Sequence, residues 1–285
     1  MQTGFLYIIF AIFCLQINVN AQDWTDETSN KGKSDWSDKE NSTSSKFFIG
    51  INAGGFFPNN NTAIIYTGAS NITNYGIDYI LSIPNYKTYF DAYFQHPYYV
   101  AELPLNPEYK TAFNIGLHTG INIGKGHAIF LDINTFNLNF EQSFTVAIED
   151  PNNQSTEPTF EQIPIIGKEK RVNFNLGTQL VLMKKHKMNL YWSLFGNFNS
   201  TKLERNYILI NGKEYEIIHS IPNQPNINPG GIGFGGGSGL GIKYQLTNKI
   251  WVDLTYNYYY LKTRMNDNIE FFGGHHGVMF RLIWN

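Results

Sequence analysis

"GGIGFGGGSGLGIKYQL", Gly230 to Leu246, decides how this chain is read. Within it, Gly231-Ile232-Gly233-Phe234-Gly235-Gly236 matches the G-x-G-x-x-G pattern of a dinucleotide-binding turn. That reading needs a strand before the turn, a helix after it and an acidic residue about 20 positions on, because the pyrophosphate sits on the helix N-terminus. Here a Thr247-Asn248 turn and another alternating segment follow instead. The glycines also keep a strict register: Gly231, Gly233, Gly235, Gly237, Gly239 and Gly241 take the odd positions, while Ile232, Phe234, Leu240, Ile242 and Tyr244 take even ones. A period of two is the period of a β-strand. Each interior-strand glycine costs roughly 0.5–1 kcal/mol relative to alanine, so a whole glycine face needs a compensating gain. A narrow barrel lumen supplies one, because a bare wall leaves room for inward residues such as Tyr191, Phe195, Arg171 and Arg281 from other strands.

The same alternation recurs along the chain. Ile250, Val252, Leu254, Tyr256, Tyr258 and Tyr260 oppose Asp253, Thr255 and Asn257; Val172, Phe174, Leu176, Leu180 and Leu182 oppose Arg171, Asn173, Asn175 and Gln179. Phe113, Ile115, Leu117, Ile121 and Ile123 oppose Asn114, Gly116, His118 and Gly120. From Ala128 the pattern changes phase, from Ile129, Leu131 and Ile133 to Phe136, Leu138 and Phe140. Either Asn134-Thr135 is a bulge, or the strand there leaves the region that enforces the alternation. Eight strands are predicted: Lys46 to Phe57, Tyr109 to Ile123, His127 to Ile148, Lys168 to Met183, Met188 to Ile210, Gly231 to Leu246, Lys249 to Met265 and Gly273 to Trp284. Short polar turns alternate with longer connections, of which Pro58 to Glu108 is the longest.

Composition agrees. Of 285 residues, 42% are hydrophobic and 16% aromatic, but only 15% are charged, against about 25% in ordinary soluble domains. A net charge of −2 gives no basic footprint for nucleic acid. The apolar run Gly4 to Ile17 has the length of a signal-peptide core, and Val19-Asn20-Ala21 reads as a cleavage site, so residues 1–21 are expected to be removed; a retained N-terminal anchor or a core segment is the alternative. Cys14, the single cysteine, lies in that segment. Residues 22–45 read as a disordered periplasmic tether, and 46–285 as the barrel domain.

Even strand number, alternating long and short connections, and both barrel termini at the short-turn end describe an all-β fold. It is an eight-stranded antiparallel up-and-down transmembrane β-barrel with long extracellular loops. A soluble lipocalin-like barrel and a β-sandwich are the alternatives; the apolar face is larger than a narrow eight-stranded interior can hold.

The chain resembles the small OmpA/OmpX-type outer-membrane β-barrels, particularly the outer membrane protein beta-barrel family of Asn- and Tyr-rich Gram-negative bacteria such as the Bacteroidota. The resemblance is architectural and covers Lys46 to Asn285. The C-terminal "GVMFRLIWN" supplies Phe280, Leu282 and Trp284 for the family's aromatic assembly signal, with Asn285 added after the final aromatic. It implies an outer-membrane location, contact with outer-membrane lipid and lipopolysaccharide, and insertion by the barrel assembly machinery.

Candidate chemistry is sparse. His275 and His276 are strand neighbours and point to opposite faces, so they do not form one metal site; no metal and no cofactor is expected. Arg171, Lys243 and Arg281, with Asp132 and Asp253, form the expected lumen set, whose charges must pair. Ser238 and His276 fall on the apolar face on non-neighbouring strands, without a third catalytic partner, so no enzyme is expected. The long connection Pro58 to Glu108 is dense in Tyr and Phe and is expected to be structured and to pack on the barrel rim; the alternative is a binding surface, for which Tyr89, Phe90, Tyr93, Phe94, Tyr98 and Tyr99 are the candidates. The expected role is structural, adhesive or accessory to envelope machinery, through an envelope protein or surface ligand. Small-solute transport is the alternative, and lipid modification the third reading.

Overall fold

The computed structural model describes residues 47–73, 75–124, 126–153, 157–219, 229–266 and 268–285. The expected signal segment and tether, with Lys46 and Lys125, lie outside the described residues.

The strands are β1 (Phe47–Phe57), β2 (Tyr98–Glu102), β3 (Ala112–Gly124), β4 (His127–Ile148), β5 (Thr159–Lys185), β6 (Met188–Ile210), β7 (Lys213–Glu216), β8 (Gly230–Gln245), β9 (Ile250–Arg264) and β10 (Glu270–Trp284). Eight of them close a ring of antiparallel pairs, β1-β3-β4-β5-β6-β8-β9-β10 and back to β1. The short β2 and β7 attach to β4 and β6 outside the ring. Partners can be followed once around: Ile232, Ser200, Val172, Thr135, Ile115, Ala53, Phe280, Leu254, then Ile242. The path returns to β8 ten residues from where it left, so the shear is 10. With strands about 4.8 Å apart and a rise of about 3.3 Å per residue, this shear tilts the strands by roughly 40°. The resulting lumen is only wide enough for side chains.

The apolar residues face outward. Ile232 is 75% exposed and Leu176 62%, while Asp132, Asn173, Asn175, Thr255 and Asn257 are buried inside. A soluble barrel has the opposite polarity, so the outward band is the lipid-facing surface. On β5 the outward residues Val172, Phe174, Leu176, Leu180 and Leu182 span ten positions, about 25 Å at this tilt and the height of a transmembrane band.

Above that band the pattern inverts without a bulge. Pairing of β4 with β3 and β5 is continuous through Asn134 and Thr135. Phe130, Asp132, Asn134, Phe136, Leu138 and Phe140 all point inward, whereas the outward set changes from Ile129, Leu131 and Ile133 to Asn137, Asn139 and Glu141. On β5 the outward Val172 gives way to Lys170 and Lys168, and the inward side ends in Ile165 and Ile163. Once the strands leave lipid their outer face meets water, and their inner face becomes apolar because it packs on the polypeptide that covers the mouth.

This inversion explains a boundary difference. The strand expected from Lys168 begins at Thr159, because its upper part carries no apolar outward face to recognise. Pro164 is tolerated there since β6 pairing starts only at Ile165.

The long connection is folded. A 3-10 helix (Asn61–Thr67), α1 (Ile77–Ser82) and α2 (Pro84–Phe94) precede β2. Extended Ile83 precedes Pro84, which opens α2 at a position needing no N–H bond, and left-handed Gln95 (φ 63°) closes it. Ala63, Ile65, Tyr66, Ile77, Ile80, Phe90 and Phe94 are buried in one cluster with Leu138, Phe140, Phe144, Ile163, Ile165 and Ile208. The upper strands and these helices therefore form a cap with its own apolar core.

Candidate functional site

The lumen is closed by three sets of contacts. Lowest is a charge network made by inward residues of all eight ring strands. Arg281 donates to Asp132 Oδ2 at 3.0 Å and reaches Asp253 Oδ2 at 3.5 Å. His118 Nδ1 lies 2.6 Å from Asp132 Oδ1, Asn52 donates to the same oxygen at 3.4 Å, and Tyr191 donates to Asp253 at 2.8 Å. Lys243, half-buried, donates to Gln179 and sits 5.3 Å from the Phe48 ring.

An aromatic chain runs through this network, from Phe48 and Phe130, which lie below Asn52 and Asp132 on β1 and β4, to Phe56, Phe136 and Tyr259 above it. Phe48, His118, Phe130, Phe195, Tyr259, Phe56 and Phe136 form an unbroken chain of ring contacts, with centroid distances from 4.2 to 6.3 Å. The glycine face of β8 is what admits part of it. A Cβ on Gly237 would lie 2.5 Å from Phe195 Cζ, and one on Gly241 would lie 2.3 Å from the Tyr191 ring. Two of the four residues expected to use that space, Tyr191 and Phe195, do so; Arg171 and Arg281 are not among the nearest atoms.

The third set joins barrel to cap. Arg171 pairs with Glu169, whose Oε2 also accepts from Tyr109 at 2.8 Å and Tyr66 at 3.1 Å. Arg171 Nη2 donates to Thr62 at 3.0 Å. Tyr66 sits against Gly167, where a Cβ would lie 2.2 Å from its ring. Asn59 N–H donates to His275 Nδ1 at 2.9 Å.

All five expected lumen charges face inward, four of them in these ion pairs, so each buried carboxylate has a cationic partner. Sequence reasoning missed Glu169. It shares a face with Arg171, a detectable signal, but it lies between Lys168 and Lys170 and looked like the polar margin of a strand. His275 is inside and His276 outside, where Nδ1 lies 2.5 Å from Tyr256 Oη. Ser238 accepts from Trp192 Nε1 at 2.7 Å, with β9 between it and His276.

The six aromatics singled out in the long connection divide. Phe90 and Phe94 are buried in the cap core, where Phe90 packs edge-on to Tyr215 at 4.7 Å. That burial takes both out of any contact surface. Tyr89, Tyr93 and Tyr99 are exposed, and Tyr98 is half-buried. Tyr98 and Tyr99 line an open groove of about 710 Å³ whose walls also include Asp78, Lys87, Asp91, Gln95 and His96, whereas Tyr89 and Tyr93 stand outside it. Lys87 donates to Asp91 at 2.8 Å and holds its carboxyl below the usual carboxylate range. The groove thus offers an ionised acceptor, amide and imidazole groups and tyrosine faces.

No protein-family model matches this sequence, and no curated protein is significantly similar to it. Among solved structures, the chain is similar to Neisserial surface protein A (9% identity, 84% of this chain and 97% of that one, TM-score 0.41). It is similar to the outer membrane protein OprG from Pseudomonas aeruginosa (9%, 84% and 93%, 0.38). It is also similar to Ail, the attachment invasion locus protein of Yersinia pestis, in complex with the heparin analogue sucrose octasulfate (12%, 84% and 97%, 0.27). The assignment as a transmembrane barrel stands on the strand pairings and the outward apolar band.

Proposed function

We propose that this protein is a non-conducting, non-enzymatic outer-membrane barrel that anchors a recognition surface, its cap, outside the cell. The observation that carries the reading is the cap core. About fifty residues are folded onto the extended tops of β4 to β6 and locked to the barrel through Glu169 and Arg171. An ordered structure over the mouth of a filled lumen serves contact better than passage. Adhesion to a polar, sugar-like ligand fits the exposed tyrosines and the groove, because flat aromatic faces and fixed carboxylates are complementary to ring faces and hydroxyls. In this reading residues 1–21 are a cleaved export signal, the barrel assembly machinery inserts the chain, and the resemblance to Asn- and Tyr-rich Bacteroidota barrels supports a Bacteroidota-type barrel.

The test is display of the full chain on cells, with adhesion measured to an array of immobilised glycans. Tyr89→Ala, Tyr93→Ala, Tyr99→Ala and Asp91→Asn together should remove binding while heat-modifiable gel mobility stays intact. Unchanged binding, or no binding by the wild type, rejects the reading.

A further inference from the structure

We infer that Lys168, Lys170 and Lys202 form a binding site on the outer wall for the phosphate headgroup of an anionic lipid in the cap-side leaflet. Lys170 and Lys202 are directly opposite each other on β5 and β6, and both point outward and are exposed. Their Cβ atoms are then about 5 Å apart, an arrangement that destabilises a sheet when the charges are alike. Lys168 adds a third ammonium one outward position higher. Other cations near this rim have carboxylate partners: Lys110 pairs with Glu141, Lys262 with Glu270 and Arg205 with Glu214. Among the described residues, Lys168, Lys170 and Lys202 are in no ion pair. Glu204 higher on β6 leaves the patch net positive, three ammonium groups against one carboxylate.

Position identifies the ligand. Immediately below the lysines the outward wall is Val172, Phe174 and Leu176 on β5, Phe198 on β6, and Ile232 and Phe234 on β8. Phe198 is 65% exposed and Ile232 75%. Beside them, Asn137 and Asn139 lie opposite Lys170 and Lys168 and add amide donors. Cations and amides above a broad apolar wall, at the rung where the strands leave lipid, match an amphiphile with a phosphate head and several acyl chains. Bound phosphate relieves the Lys170–Lys202 repulsion with charge-assisted hydrogen bonds.

The site depends on the barrel's placement in the bilayer and is independent of what the cap binds. The test uses the full chain in phosphatidylcholine nanodiscs doped with bisphosphorylated lipid A or with the same lipid after phosphate removal. Retained lipid is measured by native mass spectrometry after detergent exchange. The K168Q/K170Q/K202Q variant should retain about tenfold less phosphorylated lipid, the scale of a few charge-assisted bonds, and Lys262→Gln should retain as much as wild type. Wild type should hold the dephosphorylated lipid no better than the triple variant does. A second reading is independent of retention: Lys170→Gln should raise the unfolding temperature in pure phosphatidylcholine and lower it with phosphorylated lipid A. Equal retention by the triple variant, equal retention of dephosphorylated lipid, or the same sign of the Lys170→Gln shift in both lipids overturns the proposal. Lysine-dependent binding of inorganic phosphate without binding of the lipid overturns the lipid as its source.

Discussion

Phe136 on β4 lies directly opposite Arg171 on β5, and at that rung both strands exchange an apolar outer face for a polar one. The rung marks the upper edge of the bilayer-facing wall. Below it, side chains are sorted by lipid outside and a polar lumen inside; above it, by water outside and the cap core inside. Arg281→Met tests the lower side. It leaves the buried Asp132 and Asp253 without their guanidinium, and removing one partner of such a network costs about 3–5 kcal/mol. Urea unfolding in micelles should show that loss, with a far smaller one for Lys243→Met, whose ammonium donates to the neutral amide of Gln179 and leaves both aspartates paired with Arg281.

The outer wall should answer to depth. Leu254→Arg places a cation near mid-band and is expected to cost about 2–4 kcal/mol in lipid, whereas Tyr260→Arg near the rim should cost about 0–1 kcal/mol. Refolding titrations into phosphatidylcholine vesicles give both values. Similar costs at the two depths would be incompatible with the lipid-facing assignment.

Glycine positions should divide by face. Gly237→Leu and Gly241→Leu collide with Phe195 and Tyr191, so both should fail to give the heat-modifiable folded band. At the outward Gly196 an added Cβ meets nothing within 4 Å, and Gly196→Leu should fold as wild type.

The cap should loosen in mild acid. Asn206 lies 2.8 Å from His219 Nε2, and burial pushes the imidazole down from 6.5 to about 4. Between these values the unfolded segment takes up a proton that the folded one refuses, so stability falls as pH drops from 6.5 to about 4 and is level above 6.5. The effect is at most about 3 kcal/mol, since each unit is 1.36 kcal/mol and the side chain is not wholly buried. Amide exchange at Ile217, which bonds Asn206 O at 2.8 Å, should quicken across that window and lose the dependence in His219→Gln.

The barrel was legible wherever lipid imposes a two-residue period. The β4, β6, β8 and β9 segments are found within one or two residues of their expected ends, as is the register of the glycine face. The phase change at Asn134-Thr135 was visible too, but sequence left it as either a bulge or a change of surroundings; continuous pairing decides for the second. Thr159 to Gly167, the cap helices and the burial of Phe90 and Phe94 were not legible. Their environment is set by residues far away in sequence, and a short helix such as Ile77–Ser82 carries little periodicity of its own. Of the upper charge cluster, Arg171 was readable as a lumen residue, while Glu169, Tyr66 and Tyr109 are partners that only the folded cap supplies.

The central claim is a membrane barrel with a filled lumen, and planar-bilayer conductance of the purified chain tests it most directly. The wild type should give no conductance steps at any applied voltage. The double variant Phe195→Ala/Arg281→Ala, which opens the aromatic chain and the lower charge network together, should show more leak than the wild type. Regular conductance steps from the folded wild-type chain would contradict the account.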